Sequence, residues 1–444
     1  MESLSEALGR GVLPAADLRE RLGISPPTLM RTVRNAADVV RLGRGPATRY
    51  ALRREWPGLD RSRFPIFRIG ADGTAQSAGE LVTLAARQSV WLPAEHIENG
   101  LPIELMDARP AGFLGRHFAS IHADLRLPSL LTDWSDHHVL LAMSRRGEDL
   151  PGNLIIGEES FARWQALDGI TATHHDYPAL ATATIAGHPP GSSAGGERPK
   201  FGVLVDGRHM LVKFAARGTA ADHAARRWCD LLILEGLALD VIESRGIPAA
   251  HTTVLKAPSH YFLESERFDR VGPRGRRGVL SLAAIHDDPA DSWARAAVTL
   301  SESGRITEED ARRLRWLDAF GALIGNTDRH QYNLLFFVDS DDAVVDDRTQ
   351  GATQTRARVG NQRRLPQLAP VFDQVSMLYA PTADGLVPSR TFVLPAMTSH
   401  TLDVWDDAQA AARLFWQQAG DNARVSDDVR TICRTNAELL ASRR

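Results

Sequence analysis

Eight residues, Asn326-Thr-Asp-Arg-His-Gln-Tyr-Asn333, set a carboxylate five positions ahead of a carboxamide, and Phe372-Asp373 supplies a second carboxylate further on. Phosphoryl transfer needs that set of groups. One carboxylate takes the proton of an attacking hydroxyl, while an Asn and an Asp hold Mg²⁺ on the phosphates. The Asp-x4-Asn spacing is that of a protein-kinase catalytic loop, with Asn-Thr-Asp in place of His-Arg-Asp. Cations for the phosphates are found by elimination. The chain has three lysines, Lys200, Lys213 and Lys256, and otherwise uses arginine for positive charge. A lysine kept against that bias is a candidate for work arginine does poorly, such as placing a compact charge on phosphate oxygens. Lys200 closes the Gly-rich stretch Gly191-Ser-Ser-Ala-Gly-Gly-Glu-Arg-Pro-Lys200, and Lys213 lies in the strand-like run Leu211-Val-Lys-Phe214.

These groups need a scaffold. Phe201–Val205 reads as a strand and Asp206-Gly207 as a hairpin turn into the Lys213 strand, so loop, strand, turn and strand form a nucleotide cradle. Residues 222–244 read as a long helix in which Glu235 sits among apolar neighbours, suited to an ion pair with Lys213. His260–Leu263 is a strand leading to a hinge at which the backbone of Glu266 and Phe268 meets adenine. Thr307-Glu-Glu-Asp310 is a capping box with Asp in the Glu place. It opens a helix that ends at Gly325 and delivers the 326–333 loop. Leu334–Val338 is a buried strand and Leu368–Phe372 its return partner. The polar insert 339–367, first acidic and then basic, lacks the apolar residues to fold alone.

Residues 1–63 carry twelve arginines against seven acids, a net of +5, which leaves −8 for the rest of a chain whose total is −3. That asymmetry points to a polyanion partner for the amino-terminal part. Short helices at Leu4–Leu8 and Pro14–Leu22 precede Ser25-Pro26, a helix start signal. A third helix follows from Pro27 to about Ala37. Two strands then flank a basic wing at Gly43–Ala47. The pattern is a winged helix-turn-helix, with Thr28, Arg31 and Arg34 on the recognition helix and Arg44 and Arg49 about the wing as DNA contacts. A palindromic site would imply a homodimer. Between 64 and 180 the expected elements are a helix over Gly79–Gln88 and strand-like runs at Val139–Met143 and Leu154–Gly157. The pairs His137-His138 and His174-His175 read as exposed loop residues, with no carboxylate cluster to complete a metal site.

At 444 residues, 43% hydrophobic and 24% charged, the chain has the composition of a soluble multidomain protein. No stretch is apolar for the length of a membrane span, and Met1–Glu6 lacks a secretory pattern. Two cysteines exclude a disulfide framework. A reduced, cytoplasmic protein is expected, with no membrane partner.

Taken together, Ser193–Lys200, Leu211–Lys213, Glu266-Arg-Phe-Asp-Arg270, Gly325–Asn333 and Phe372-Asp373 resemble the HipA family of bacterial Ser/Thr kinase toxins. The helix-turn-helix ahead of the kinase is similar to the YjjJ-type branch. The resemblance implies an α+β, bilobal kinase-like fold with a small amino-terminal winged helix-turn-helix. The expected boundaries are 1–62, 63–270 for the N-lobe and 271–444 for a mostly helical C-lobe. It implies ATP and Mg²⁺, with Asp328 as base, Asn333 and Asp373 as metal ligands, and Lys213 on the α/β-phosphates, oriented by Glu235. Ser193, Ala194, Gly195, Gly196 and Lys200 would cover the triphosphate, and His330 would contact ATP. Ser193, or the adjacent Ser192, would be autophosphorylated and switch the kinase off. Partners implied are a protein substrate of the aminoacyl-tRNA synthetase class, DNA through residues 1–62, and an antitoxin. Two other readings fit the same residues: a transcription regulator whose kinase-like domain only senses nucleotide, and a small-molecule phosphotransferase of the aminoglycoside type.

Overall fold

The computed structural model describes residues 2–166, 171–186, 198–219, 221–338 and 365–442. Ser192, Ser193, Ala194, Gly195, Gly196 and the greater part of the 339–367 insert lie outside the described residues.

The amino-terminal module runs α1 (Leu4–Gly9), β1 (Leu13–Pro14), α2 (Ala15–Leu22), α3 (Pro26–Arg34), β2 (Val39–Leu42) and β3 (Arg49–Leu52), with its strands ordered β1-β3-β2. Gly23 closes α2 in the left-handed conformation, and Pro26 opens α3 where its missing N–H leaves no bond unmade. Leu8, Leu18, Leu22, Leu29 and Tyr50 form the small core. A second cluster joins this module to the middle region: Val40, Leu42 and Ala51 pack against Val82, Leu84 and Val90.

The middle region carries β4 (Arg63–Ile69), β5 (Ala75–Thr83), β6 (Gln88–Leu92), β7 (His96–Asn99), α4 (Ile103–Asp107), α5 (Gly112–Ile121), α6 (Asp136–Arg146), β8 (Leu154–Ile156) and α7 (Glu158–Ala166). Its antiparallel sheet is ordered β7-β6-β5-β4-β8. The helix expected over Gly79–Gln88 is instead the end of β5, a tight turn and the start of β6. The physical reason is that this sheet is covered on both sides. Leu81 faces the core with Phe64, Ile66 and Val139, while Val82 and Leu84 face the amino-terminal module. The polar-apolar alternation that marks a half-buried strand is therefore absent. Gly79 sits at the bulge with φ +103, where a Cβ would lie 1.9 Å from the Leu92 carbonyl oxygen. Val139–Met143 lies within helix α6 rather than in a strand.

The kinase-like part begins with α8 (Tyr177–Ala186), then β9 (Lys200–Val205), β10 (Arg208–Ala216), α9 (His223–Ser244), β11 (Thr252–Lys256) and β12 (His260–Glu266), in sheet order β11-β12-β10-β9. One face of this sheet holds Phe201, Val203, Val212, Phe214 and Phe262 under α8. The other carries Ala215, Tyr261 and Leu263 against α9. A small hairpin, β13 (Arg270–Val271) and β14 (Gly275–Arg276), leads to β15 (Gly278–Ser281), α10 (Leu282–Ile285), α11 (Trp293–Glu302), α12 (Glu308–Leu323), β16 (Leu335–Val338), β17 (Gln367–Leu368), α13 (Trp405–Asp421) and α14 (Asp427–Ala441). A sheet-rich lobe followed by a helical one, joined at β12, is a bilobal protein-kinase-like arrangement.

Two local expectations differ in detail. Thr307 caps α12 through the Asp310 amide, but the Asp310 carboxylate does not reach back; it accepts from the Leu368 amide at 3.2 Å and pairs with Arg313 at 2.9 Å. The return strand pairs with β16 at Gln367–Leu368 and through the Ala369 amide, which donates to the Leu335 carbonyl at 2.8 Å, after which the chain bends so that Val371 bridges Ala249.

Candidate active site

The site lies where β10, α9, the loop after α12 and the segment after β17 meet. On β10 the side chain of Lys213 points to the α9 face, and Lys213 pairs in register with Lys200 on β9. Its Nζ lies 2.6 Å from Glu235 Oε1 and also donates to Asp373 Oδ1. Lys213 and Glu235 are both buried. Burial alone would lower the Lys213 pKa, but the two carboxylates outweigh it and hold the ammonium above the ordinary lysine range. Asp373 is pulled down to about 2: burial opposes ionisation, and Lys213, Lys200 and His330 overcome it. Glu235 is pushed up by burial despite Lys213. Two carboxylates thus compete for one ammonium, and Asp373 is the more fully ionised.

Asp373 itself adopts φ +55, a left-handed conformation uncommon outside glycine. Such backbone persists where its surroundings over-determine it, and here they do. Asn326, fully buried, accepts the Asp328 amide on its Oδ1 at 3.0 Å and sends its Nδ2 toward the Asp373 carbonyl and Gln374 Oε1 at 3.5 and 3.4 Å. One side chain therefore ties the loop carrying Asp328 to the segment carrying Asp373. Arg329 anchors the loop from the other side, pairing with Asp318 of α12 at 3.0 Å and donating to the Asn326 carbonyl. Its aliphatic stem crosses α12 at Gly321, where a Cβ would meet Arg329 Cδ at 2.6 Å. Gln331 donates to the carbonyls of Asp288 and Asp291, and Trp293 Nε1 to that of His330 at 3.1 Å.

Within this frame the Asp328 carboxylate stays exposed, at 56%, with no hydrogen bond of its own among the described residues and His330 at 4.0 Å. Asn333 donates its Nδ2 to the Asp328 carbonyl at 2.9 Å, which leaves its Oδ1 as the outward atom. A carboxamide oxygen and an ionised carboxylate are hard oxygen donors of the kind Mg²⁺ takes alongside phosphate oxygens, so Asn333 and Asp373 fit that ion. At the hinge the Glu266 amide is spent on the His251 carbonyl at 3.0 Å and the Arg267 amide on that of His209 at 2.9 Å. The Phe268 ring lies 6.0 Å from Phe337 and 5.9 Å from Phe372, making an aromatic bed between the lobes. Lys200, Lys213, Glu235, Asp328, His330, Asn333 and Asp373 are thus gathered at one cleft, with Glu266 and Phe268 along its hinge edge.

Sequence reasoning left Asn326, Gln374 and Arg329 without roles. The first and last lie inside the motif it quoted, so their signal was present. It also left unassigned the ion network joining Asp149 to Arg267, Asp269 and Arg270 over separations of 2.7 to 3.1 Å.

Elsewhere, Arg31, Arg34 and Arg44 are exposed on α3 and the wing, whereas Thr28 is half-buried and its hydroxyl meets that of Ser25 at 2.9 Å. Arg49 is half-buried, with its guanidinium 3.5 Å from the Glu95 carbonyl of the middle region, and the Gly43 amide of the wing donates to Glu95 Oε2 at 2.7 Å. His137 and His138 are not loop residues: they open α6, half-buried and hydrogen-bonded to Ser135. His174 meets the buried carboxylate of Glu264 at 3.0 Å, which Tyr177 also contacts.

Comparison with known proteins places the two halves separately. The model for the YjjJ-like toxin middle domain matches residues 60–165, and that for the HipA-like C-terminal domain matches residues 192–442. Toxin YjjJ of Escherichia coli (strain K12) is 32% identical over 469 residues, spanning 99% of this chain and 97% of that protein. Among solved structures, HipA from the Shewanella oneidensis MR-1 complex with HipB and operator DNA is 14% identical, with a TM-score of 0.44 over 81% of this chain and 94% of that one. The Helicobacter pylori proinflammatory kinase CtkA is 12% identical, with a TM-score of 0.35 over 57% of this chain and 91% of that one. At these TM-scores neither solved structure bears on function.

Proposed function

Because the chain belongs to the YjjJ-like toxins, with a HipA-like C-terminal domain, we propose that it is a Mg-ATP-dependent serine/threonine protein kinase that restrains growth as the toxin of a toxin-antitoxin system. The observation that carries this reading is the convergence of Lys213, Glu235 and Asp373 with the Asp328–Asn333 loop, tied together by Asn326. A domain kept only to sense nucleotide has no need of an exposed carboxylate beside that cluster.

ATP lies between the lobes with adenine against the hinge at Glu266 and Phe268. Lys213 moves its charge onto the α/β-phosphates, oriented by Glu235, and Lys200 with the 193–196 stretch covers the triphosphate. Asn333 and Asp373 would hold Mg²⁺, which supplies charge neutralisation at the β- and γ-phosphates. Asp328 accepts the proton of a serine or threonine hydroxyl as that oxygen bonds the γ-phosphorus and the bond to the β–γ bridging oxygen breaks, releasing ADP. Transfer to Ser193 or Ser192 would limit the enzyme's own activity. The amino-terminal module would bind operator DNA through Arg31, Arg34 and Arg44, with Thr28 and Arg49 at its edges. An antitoxin, a homodimer and an aminoacyl-tRNA synthetase substrate belong to the same proposal.

The test is intact mass after incubation with Mg-ATP, comparing the wild type with Asp328→Asn. One added phosphate in the wild type alone, mapped to Ser193 or Ser192, is expected. Equal phosphate on the variant removes Asp328 from the base role. No transfer by the wild type, with ATP still bound, favours the nucleotide-sensing regulator.

A further inference from the structure

The loop that carries Asp328 also carries a tyrosine with nothing to do in phosphoryl transfer. Tyr332 lies between Gln331 and Asn333, which are 5% and 6% exposed, yet it is itself 50% exposed. The guanidinium of Arg109 stands over its ring at 5.6 Å. Arg109 comes from the stretch matching the YjjJ-like middle domain, more than two hundred residues away in sequence. The approach is not casual, since α4 is anchored there: Asp107 accepts from the Ser281 amide and hydroxyl at 2.6 and 2.5 Å, at the start of α10 behind the loop. Arg109 donates to the Met106 carbonyl at 2.7 Å and makes no close ion pair among the described residues, although its charge acts on the nearby Asp107 and favours that carboxylate's ionised form. The nearby Asp107 spends both oxygens on Ser281.

From the base outward the groups form a row. Asp328 lies 4.0 Å from His330, the His330 ring lies 6.1 Å from that of Tyr332, and Arg109 follows at 5.6 Å. Resting on the kinase reading above, we propose that this row is the docking track for the protein substrate, and that Arg109 recognises an acidic side chain near the phosphorylated hydroxyl. At ~3.3 Å per extended residue, Arg109 reads a position within roughly five residues of the acceptor. The exposed ring of Tyr332 gives the peptide an apolar surface and fixes the guanidinium, so little side-chain freedom is lost when a carboxylate binds.

The experiment uses the full chain with Mg-ATP and serine-centred peptides in which each of the five positions on either side is fixed in turn as Glu, Ala or Lys. One position should favour Glu over Ala by roughly tenfold in kcat/KM, the worth of one charge-assisted hydrogen bond. Arg109→Ala should bring that ratio to about one, and Arg109→Glu should invert it toward Lys. Tyr332→Leu, which keeps apolar bulk while removing the ring, should reduce the ratio and guards against misfolding of the Arg109 variants. A wild type that transfers phosphate to itself but shows no such preference, or to no peptide, overturns the track and leaves the kinase reading standing. An unchanged preference in Arg109→Glu also overturns it. A wild type that phosphorylates neither itself nor any peptide overturns the kinase reading instead.

Discussion

Replacing Glu235 by Gln separates orientation of the lysine from stability of the fold. In the wild type Lys213 bonds Glu235 at 2.6 Å and also Asp373. In Glu235→Gln the side chain keeps its volume, and Lys213 keeps one full carboxylate partner. Removing one side of a buried ion pair costs ~3–5 kcal/mol when it strands a charge, but Asp373 prevents that here. Burial already disfavours the charged form of Glu235, so the change in stability should be ~1 kcal/mol or less, a Tm shift of no more than about 2 °C. Activity should respond differently. Without Glu235 the ammonium is drawn wholly to Asp373, away from the phosphates and onto the carboxylate assigned to Mg²⁺. Losing one charge-assisted hydrogen bond that orients the lysine is worth ~1.5–3 kcal/mol, or about 10- to 100-fold in kcat/KM for ATP. The assays are thermal unfolding and initial rates of phosphate incorporation across ATP concentrations. Wild-type kcat/KM in a folded Glu235→Gln protein would refute the orienting role, and a collapse of Tm would refute the claim that Asp373 compensates.

Asn326→Ala should destabilise the protein by ~1–3 kcal/mol, since the Asp328 amide and Gln374 Oε1 lose a buried partner; chemical denaturation measures this, and phosphate transfer should fall with it. Asp230 is raised to about 6, chiefly by burial, with hydrogen bonds from Ser426 opposing and Asp428 adding to the rise. Its folded value lies above the unfolded one, so its stabilising contribution is complete below pH ~4 and is lost as pH rises through about 6. Relative to Asp230→Asn, the wild type should therefore lose roughly 1–1.5 kcal/mol between pH 5 and pH 7.5 in denaturant titrations. Arg31→Ala with Arg34→Ala should make the slope of log K against log salt for the protein's own promoter shallower by about 2. An unchanged slope in gel shifts would mark the amino-terminal module as a protein-interaction domain.

What the sequence disclosed about the site was local. Asp328 and Asn333 lie in one loop, Lys213 was exposed by the scarcity of lysine, and Glu235 stood out as an acid among apolar neighbours in a helix. Each signal is a local pattern or a count along one chain, so one chain suffices to read it. The Gly79–Gln88 segment failed because the rule that separates strand from helix assumes one wet face, and the end of β5, Leu81 to Thr83, has none. The contacts of Arg109 with Tyr332, Asp107 with Ser281, and Asp149 with Arg267 and Arg270 join residues more than a hundred positions apart. No periodicity or spacing announces such pairs; only the packed chain brings them together.

The shared core between the amino-terminal module and the middle sheet limits how the protein can be dissected. Cutting the chain near residue 60 would lay bare Val82, Leu84 and Val90, the second apolar face of a five-stranded sheet. Sheet surface of that kind is a template for self-association. A shortened protein would then be lost to aggregation and would look harmless in cells whether or not DNA had any part in its action. By the same contact the module and the middle region cannot have been exchanged as separate cassettes without repacking this seam. Substitutions on the exposed face of α3, which leave the seam closed, are therefore the way to separate what the amino-terminal module does from phosphoryl transfer.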